Sequence, residues 1–581
     1  MKKTTGRPQP FGAAVEKDRV NFSVQVPKGK TCGLLLYRKG KEQPAVRFEM
    51  PEEEGVGEVR FLAVEGIDAD QYEYNFEIGG RVTIDPYVRE ITGRNIFGRE
   101  RDLSAHEIRG KLVSPEYDWG EDARLHLSWS EVTAYSLHVR GFTKHSSSKV
   151  KHRGTFLGVI EKIPYLKELG INQIQCMPVY EFEDCRKGTI NYWGYGPAYY
   201  FAPKEAYAAG DSAVRELKDM VRSCHREGIE VVLEMPFAEG IPVQTVLECL
   251  RFYMLEYHVD GFVVNPYTVP WEILCGDPLL KDIKMMRKDD TFQNIMRRFL
   301  KGDENMVNDM MWVLCRHSKA DGKCNYITAQ TGFTLWDLVS YDSKHNEANG
   351  ENNTDGPDYN YSWNCGAEGP SRKKAVTALR KSQVKNAFYL LLTAQGTPCI
   401  LAGDEFYNTQ KGNNNVYCQD NETGWLDWSR LKSDDELFVF VKDLIAFRRN
   451  HPCLHREEEL KGMDRTACGV PDVSYHGESA WQVKNDVSSR QLGALYSRTG
   501  GEDQECFIAY NMHWIPHDFA LPSPGKGRGW KLAGSTQDGI QGQPVLLENQ
   551  KSMELKERSI VILTGTEIES KAEKGKGRKK P

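Results

Sequence analysis

The chain is poor in everything that would mark a membrane, secreted or metal-stapled protein. It contains no run of about 18 apolar residues, so no helical membrane span is expected. Its start, Met1-Lys2-Lys3-Thr4-Thr5-Gly6-Arg7-Pro8, carries charge with no apolar stretch behind it, so a secretory signal is not expected either. None of the 14 cysteines pairs at CxxC spacing, which removes the usual zinc framework, and no metal or cofactor is expected. Cys176, Cys224, Cys315 and Cys399 sit inside apolar patterns and read as free thiols of a reducing cytoplasm. A formal charge of only −6 gives no reason to expect nucleic acid or an anionic membrane as partner. There is no internal repeat.

What is present is a folded composition, 40% hydrophobic and 27% charged, in 581 residues, more than one domain usually takes. Residues 1–10 read as a tail and 11–104 as a β-sandwich. Its strands are Val20–Val26, Cys32–Tyr37 and Tyr72–Ile78, with Gly and Pro breaks between them. Residues 105–131, with Trp119 and Trp129, read as a linker lying on the next domain. From 132 to 454, short apolar strands alternate with helical stretches, which predicts an α/β fold with a parallel sheet and helices outside. The strand candidates are Ala134–Leu137, Gln173–Met177, Glu230–Leu233, Gly261–Val264, Ile283–Met286, Asn325–Ala329 and Cys399–Ala402. Helices are expected over 213–227, with Gly228 as the stop, and over Lys374–Leu392 and Leu437–Arg449. That many units suit a (β/α)8 TIM barrel better than an open sheet. Residues 455–567 return to strands as a second β-sandwich, and 568–581 form a basic, solvated tail.

Collinear blocks then carry a family signal. Tyr135-Ser-Leu-His-Val-Arg-Gly-Phe-Thr143 resembles Y-E-L-H-V-R-G-F-T, and Asn191-Tyr-Trp-Gly-Tyr195 matches N-Y-W-G-Y. Lys344–Asn353 matches K-H-N-E-A-N-G-E-x-N, and Asn360–Gly366 looks like its continuation. Leu401–Phe406, Gly412–Glu422, Trp425–Trp428 and Pro471–Gly477 follow in order. Together they resemble the isoamylase and bacterial glycogen debranching group of glycoside hydrolase family 13, the α-amylase superfamily. The resemblance implies an α-1,6-glucosidase barrel acting on α-glucan such as glycogen, amylopectin or branched maltodextrin. It also makes the first sandwich similar to a carbohydrate-binding module, on Asp85-Pro86-Tyr87 and on position.

Retaining glycoside hydrolysis needs one carboxylate to attack the anomeric carbon and one carboxyl to protonate the leaving oxygen. The family adds a third that grips the distorting sugar. At each of these positions this sequence departs from the family pattern. Asn265 stands at the nucleophile position, and its neutral amide cannot form the glycosyl ester. Val263 replaces the arginine that keeps the nucleophile ionised. Lys288 falls at the acid/base position, although a one-residue slip would place Asp289 there. Thr331, preceded by Gln330, replaces the third carboxylate and its histidine. Glu234 and Glu239 stand for the family's aspartate and histidine, and Ser136 and Gln175 stand where glutamates are frequent. The opposite charges of Lys288 and Glu239 suggest an ion pair across the cleft.

For binding, the resemblance points to Tyr192, Trp193, Tyr195 and Trp363 as sugar platforms, and to the loop of His345 and Asn346 at the cleft mouth. Packing of long loops is an equal reading of the same residues. The expected protein is therefore a catalytically silent debranching-type chain that binds α-glucan, or that partners an active glucan-processing enzyme, an arrangement the family is known to use. The rivals are an α-1,6-glucosidase with displaced catalytic groups and an assembly protein whose cleft binds no sugar.

Overall fold

The computed structural model describes residues 1–568 apart from 103–105, 318, 320–321, 466, 468, 485, 499–502 and 526. At its centre lies a six-stranded parallel sheet: β1 (Ala134–Leu137), β2 (Gln173–Cys176), β3 (Glu230–Met235), β4 (Gly261–Val264), β5 (Lys284–Arg287) and β6 (Cys399–Leu401). The order is β5-β4-β3-β2-β1-β6, with every pair parallel. These strands are buried on both faces, which is why they read as short apolar runs rather than alternating ones. The sheet curls back on itself through the segment around Asn325. Arg287 N donates to Gly322 O at 2.8 Å, Asn325 N to Thr397 O at 2.8 Å, and Cys399 N to Asn325 O at 2.8 Å. The result is the expected (β/α)8 barrel.

Helices cover its outside. Helix Ala213–Arg226 starts on the Ser212 hydroxyl, which accepts from Arg215 N, and buries Leu217, Val221 and Cys224. It ends before Gly228, whose φ of 75° is the left-handed turn that glycine takes without strain. Lys374–Leu392 and Glu436–Arg449 pack alongside.

The expected strand Asn325–Ala329 does not extend as a ladder; only Asn325 bridges, to Pro398. The chain is drawn aside where the Thr328 hydroxyl donates to the buried Asp404 carboxylate, and it bends at Gln330 and Thr331.

The N-terminal strands form a four-stranded and a six-stranded sheet packed face to face over Phe22, Leu34, Leu36, Leu62 and Phe76. Two expectations give way here. Lys2–Thr4, read as tail, pairs with Val59–Glu65, and Arg109–Lys111, read as linker, pairs with Tyr72–Ile78. Both stretches are too short and polar to announce a strand, and each gains its order from an edge already present. The expected boundary between 104 and 105, and the basic tail beyond Ile568, lie outside the described residues.

The rest of the linker does lie on the barrel. Trp119 stacks on His258 at 3.9 Å, and Asp122 accepts from His225 at 2.9 Å and from His258 at 2.7 Å. The C-terminal region is a six-stranded antiparallel sheet with a separate two-stranded pair, built over Phe507, Trp530 and Leu563. Tyr389 OH donating to Ser535 O at 3.0 Å ties it to a barrel helix. The described cysteines are free thiols, and no described helix is long and apolar enough to cross a membrane.

Candidate functional site

Parallel barrels present their functional side chains at the C-terminal ends of the strands. Along β3 the alternating residues Glu230, Val232 and Glu234 climb from the floor to this end. At the floor, Glu230 accepts from Lys284 Nζ at 2.5 Å, from Gln173 at 2.8 Å and from Leu127 N at 3.0 Å. Above it, Val232, Val263 and Met286 form an apolar layer with Trp129 and Cys324. Gln175 crosses that layer, its Nε2 lying 3.4 Å from Met286 Sδ and 3.5 Å from Cys324 Sγ.

The mouth is a cleft lined by Ser136, Gln175, Glu234, Val263, Lys288, Asp290, Gln330 and Thr331, with about 70 Å³ open to water. Its polar centre is a closed triangle. Lys288 Nζ lies 2.6 Å from Glu234 Oε1, Tyr195 OH donates to the same oxygen at 2.6 Å, and Lys288 donates to Tyr195 OH at 3.0 Å. Glu234 is buried, whereas the Lys288 side chain remains 42% exposed to the cleft. Burial pulls the Lys288 pKa down, but the Glu234 charge and the Tyr195 oxygen outweigh it and hold the ammonium above the usual lysine range. Burial and the Glu234 charge together push the Tyr195 phenol up.

Of the positions named from sequence, Val263, Lys288, Gln330, Thr331 and Glu234 come together at this cleft. Asn265 follows β4 but spends its amide locally. Its Oδ1 accepts from Tyr267 N at 3.0 Å and its carbonyl from Thr268 N at 3.1 Å, closing a turn. Glu239 is exposed in the turn beyond β3. The partner of Lys288 is thus Glu234 and not the expected Glu239, because Glu234 ends β3 inside the barrel while Glu239 lies past the bend at Phe237. Asp289 points away to Lys323 at 2.8 Å and lines a different small cavity with Trp312 and Arg316. Burial raises the Asp289 pKa, but Lys323 and Thr291 bring it below the usual aspartate value. Asp290 was missed. It lines the cleft and accepts from Tyr326 OH at 2.7 Å, and only its place just before helix Thr291–Lys301 could have signalled it.

The expected sugar contacts divide. Tyr195, half-buried, meets the cleft residues through its hydroxyl on Glu234 and Lys288, and Trp193 packs against it with ring centres 5.6 Å apart. Tyr192 is buried, stacked on His138 at 4.1 Å, with its hydroxyl on Gly424 O. Burial brings the His138 pKa down to about 4, so it serves as a neutral prop for this loop. Asn346 is fully buried, donating to Asp355 O and Asn414 Oδ1 at 2.9 Å each. His345 is half-exposed beside Glu368 at 3.4 Å and does not line the cleft. Trp363 turns to the C-terminal region, under Arg558 at 4.8 Å. No group of His, Cys, Asp and Glu among the described residues could hold a metal ion.

A barrel with a polar cleft at its strand ends, set between two β regions, is the architecture of α-amylase-type glycoside hydrolases, and the Alpha amylase, catalytic domain family matches residues 137–237. Isoamylase 1, chloroplastic, of Arabidopsis thaliana is 30% identical over 90% of this chain and 83% of its own. The glycogen operon protein GlgX homolog of Mycobacterium bovis is 28% identical over 97% of both chains. The chain belongs to the isoamylase and GlgX glycogen-debranching group of that family. The same fold recurs in the pullulanase of Paenibacillus barengoltzii, at a TM-score of 0.73 and 18% identity over 96% of each chain.

Proposed function

We propose that this chain holds α-glucan in its barrel cleft without hydrolysing it, and serves as a binding or positioning subunit beside an active glucan-processing enzyme. The observation that carries this reading is the Lys288–Glu234–Tyr195 triangle. Retaining hydrolysis needs two available carboxyl groups about 5–5.5 Å apart around the scissile bond. Here the buried carboxylate is neutralised by a fixed ammonium, the residue after β4 is an amide engaged in its own turn, and Val263 offers no charge. A lysine held protonated cannot alternate between acid and base, and losing that role alone costs about 10²–10⁴-fold in rate. Losses within one catalytic unit do not rescue one another.

Glucan binding is supported by the family and by Tyr195, whose ring can pack on the apolar face of a glucosyl unit. The Paenibacillus barengoltzii pullulanase is itself complexed with maltohexaose and α-cyclodextrin. The test is migration in amylopectin-containing affinity gels, wild type against Tyr195→Ala. Retardation by glucan that Tyr195→Ala relieves is the expected result; no retardation of the wild type overturns the reading in favour of pure assembly.

One observation favours a second reading, an α-1,6-glucosidase with displaced groups. Asp290 brings another carboxylate into the cleft with Glu234. Hydrolysis of amylopectin that disappears in Asp290→Asn would establish it.

A further inference from the structure

Beside the cleft, on the same end of the barrel, lies a second pocket that the reading above does not use. It has a volume of about 450 Å³ and is lined by Lys144, His145, Lys151, Arg153, Glu422 and Trp425. Its walls come from the segment after β1 and from the loop after β6, and none of its lining residues lines the cleft.

The pocket holds an excess of positive charge that the protein leaves unmatched. Among the described residues, no hydrogen bond or ion pair engages the ammonium groups of Lys144 and Lys151 or the guanidinium of Arg153. The nearby carboxylates are committed elsewhere. Asp420 takes Arg140 through both oxygens at 2.7 and 2.8 Å and also the Trp425 indole N–H at 2.8 Å. Asp427 takes Ser147 and Ser429, and Glu161 takes the backbone of Lys151 and His152. Glu422 is the single carboxylate of the lining. Burial lowers the Lys144 pKa, and the cations of Arg140 and Arg153 lower it further against the pull of Asp420, so Lys144 gains from any anion that enters. Lys149 and Lys432 crowd each other nearby, with the same consequence for Lys432.

Unpaired Lys and Arg donors converging on one concavity are the donor set that phosphate oxygens accept from most strongly. Half-buried Trp425 also lines the pocket and brings aromatic surface of the kind that a pyranose covers. The geometry points to a binding site for a sugar phosphomonoester, with the phosphate among Lys144, Lys151 and Arg153 and the sugar ring on Trp425. The proposal stands apart from the cleft's lack of hydrolysis and survives either outcome there.

The same chemistry has two sources, a free hexose phosphate or a phosphate carried on a glucan chain. Full-length protein is titrated at low salt with glucose 6-phosphate, inorganic phosphate and glucose, following tryptophan fluorescence and thermal unfolding. Glucose 6-phosphate gives a saturable response, inorganic phosphate a weaker one, and glucose none. Lys151→Ala and Arg153→Ala, both exposed and safe for folding, each weaken binding roughly tenfold, and Trp425→Phe removes the fluorescence change. Retention on phosphorylated glucan that falls after phosphatase treatment assigns the source to the glucan; unchanged retention with intact glucose 6-phosphate binding assigns it to the free sugar. No saturable response to glucose 6-phosphate, a response that glucose or inorganic phosphate equals, or binding indifferent to both cation variants overturns the proposal.

Discussion

The centre of the cleft and the loops around it use their polar side chains differently within one barrel end. The loops hold their polar side chains in buried networks. Asn346 ties Asp355 to Asn414, and Asp404 accepts from Leu335 N at 2.8 Å and from Thr328. Asp337 likewise takes Thr409, Gln410 N and Gly412 N. At the centre, Val263 and Met286 line the cleft beside the Lys288–Glu234 pair. On the reading proposed above, the residues that hold backbone carry a constraint from which those at the centre are free. Folding needs every buried donor and acceptor satisfied, while a cleft without hydrolysis, as proposed above, would need only to be filled and neutral.

The comparison breaks most visibly under mutation of the loop network. Asn346→Ala should cost about 3 kcal/mol of unfolding free energy, because it strands the Asn414 backbone N–H and the Asp355 carbonyl in a buried setting. Urea unfolding measures it, and a loss as small as that of a surface change would mean the network is dispensable.

A pH test addresses Asp404. Burial, against the pull of Thr328 and Leu335 N, raises its pKa from 3.8 to about 7. The folded state therefore holds a proton that the unfolded state has released between those values. Stability from this group is present at low pH and declines as pH rises through about 7. Relative to Asp404→Asn, the wild type should lose stability between pH 5 and pH 8; parallel curves would refute the assignment.

At the cleft, Tyr195→Ala should weaken glucan binding about tenfold, read in affinity gels on protein that urea unfolding shows still to be folded. The smallest effect on stability belongs to Lys288→Met. It leaves the buried Glu234 carboxylate with only the Tyr195 hydroxyl, and because the ammonium end is 42% exposed and water can enter, the cost should be about 1–2 kcal/mol. A cost of several kcal/mol would place Lys288 with the scaffold instead of the cleft.

The barrel strands and helices were legible because parallel strands buried on both faces leave apolar runs, and Gly261–Val264, Lys374–Leu392 and Tyr72–Ile78 fall as read. Lys2–Thr4 and Arg109–Lys111 were not, since their order is lent by neighbouring strands. The segment after Asn325 carried a strand-like pattern but is held by the Thr328–Asp404 contact, which no local pattern reveals. In the site, the convergence of Val263 and Lys288 followed from their places at strand ends, while Gln330 and Thr331 reach the same cleft from a bend. The partner of Lys288 did not, because choosing between Glu234 and Glu239 depends on a bend after β3. Tyr192, Asn346 and Trp363 illustrate the same limit: aromatic and amide residues in long loops look alike whether they meet sugar or one another. Asp290 was passed over for its neighbour, since sequence cannot tell which of two adjacent aspartates turns inward.

The central claim is silence of the cleft, and prolonged reducing-sugar release from amylopectin by purified wild-type protein tests it most directly, with an authentic debranching enzyme as positive control. The Lys288–Glu234 pair predicts no release above the blank at any dose. Release proportional to protein, and abolished by Glu234→Gln or Asp290→Asn, would contradict it and show that the chemistry has moved within the cleft.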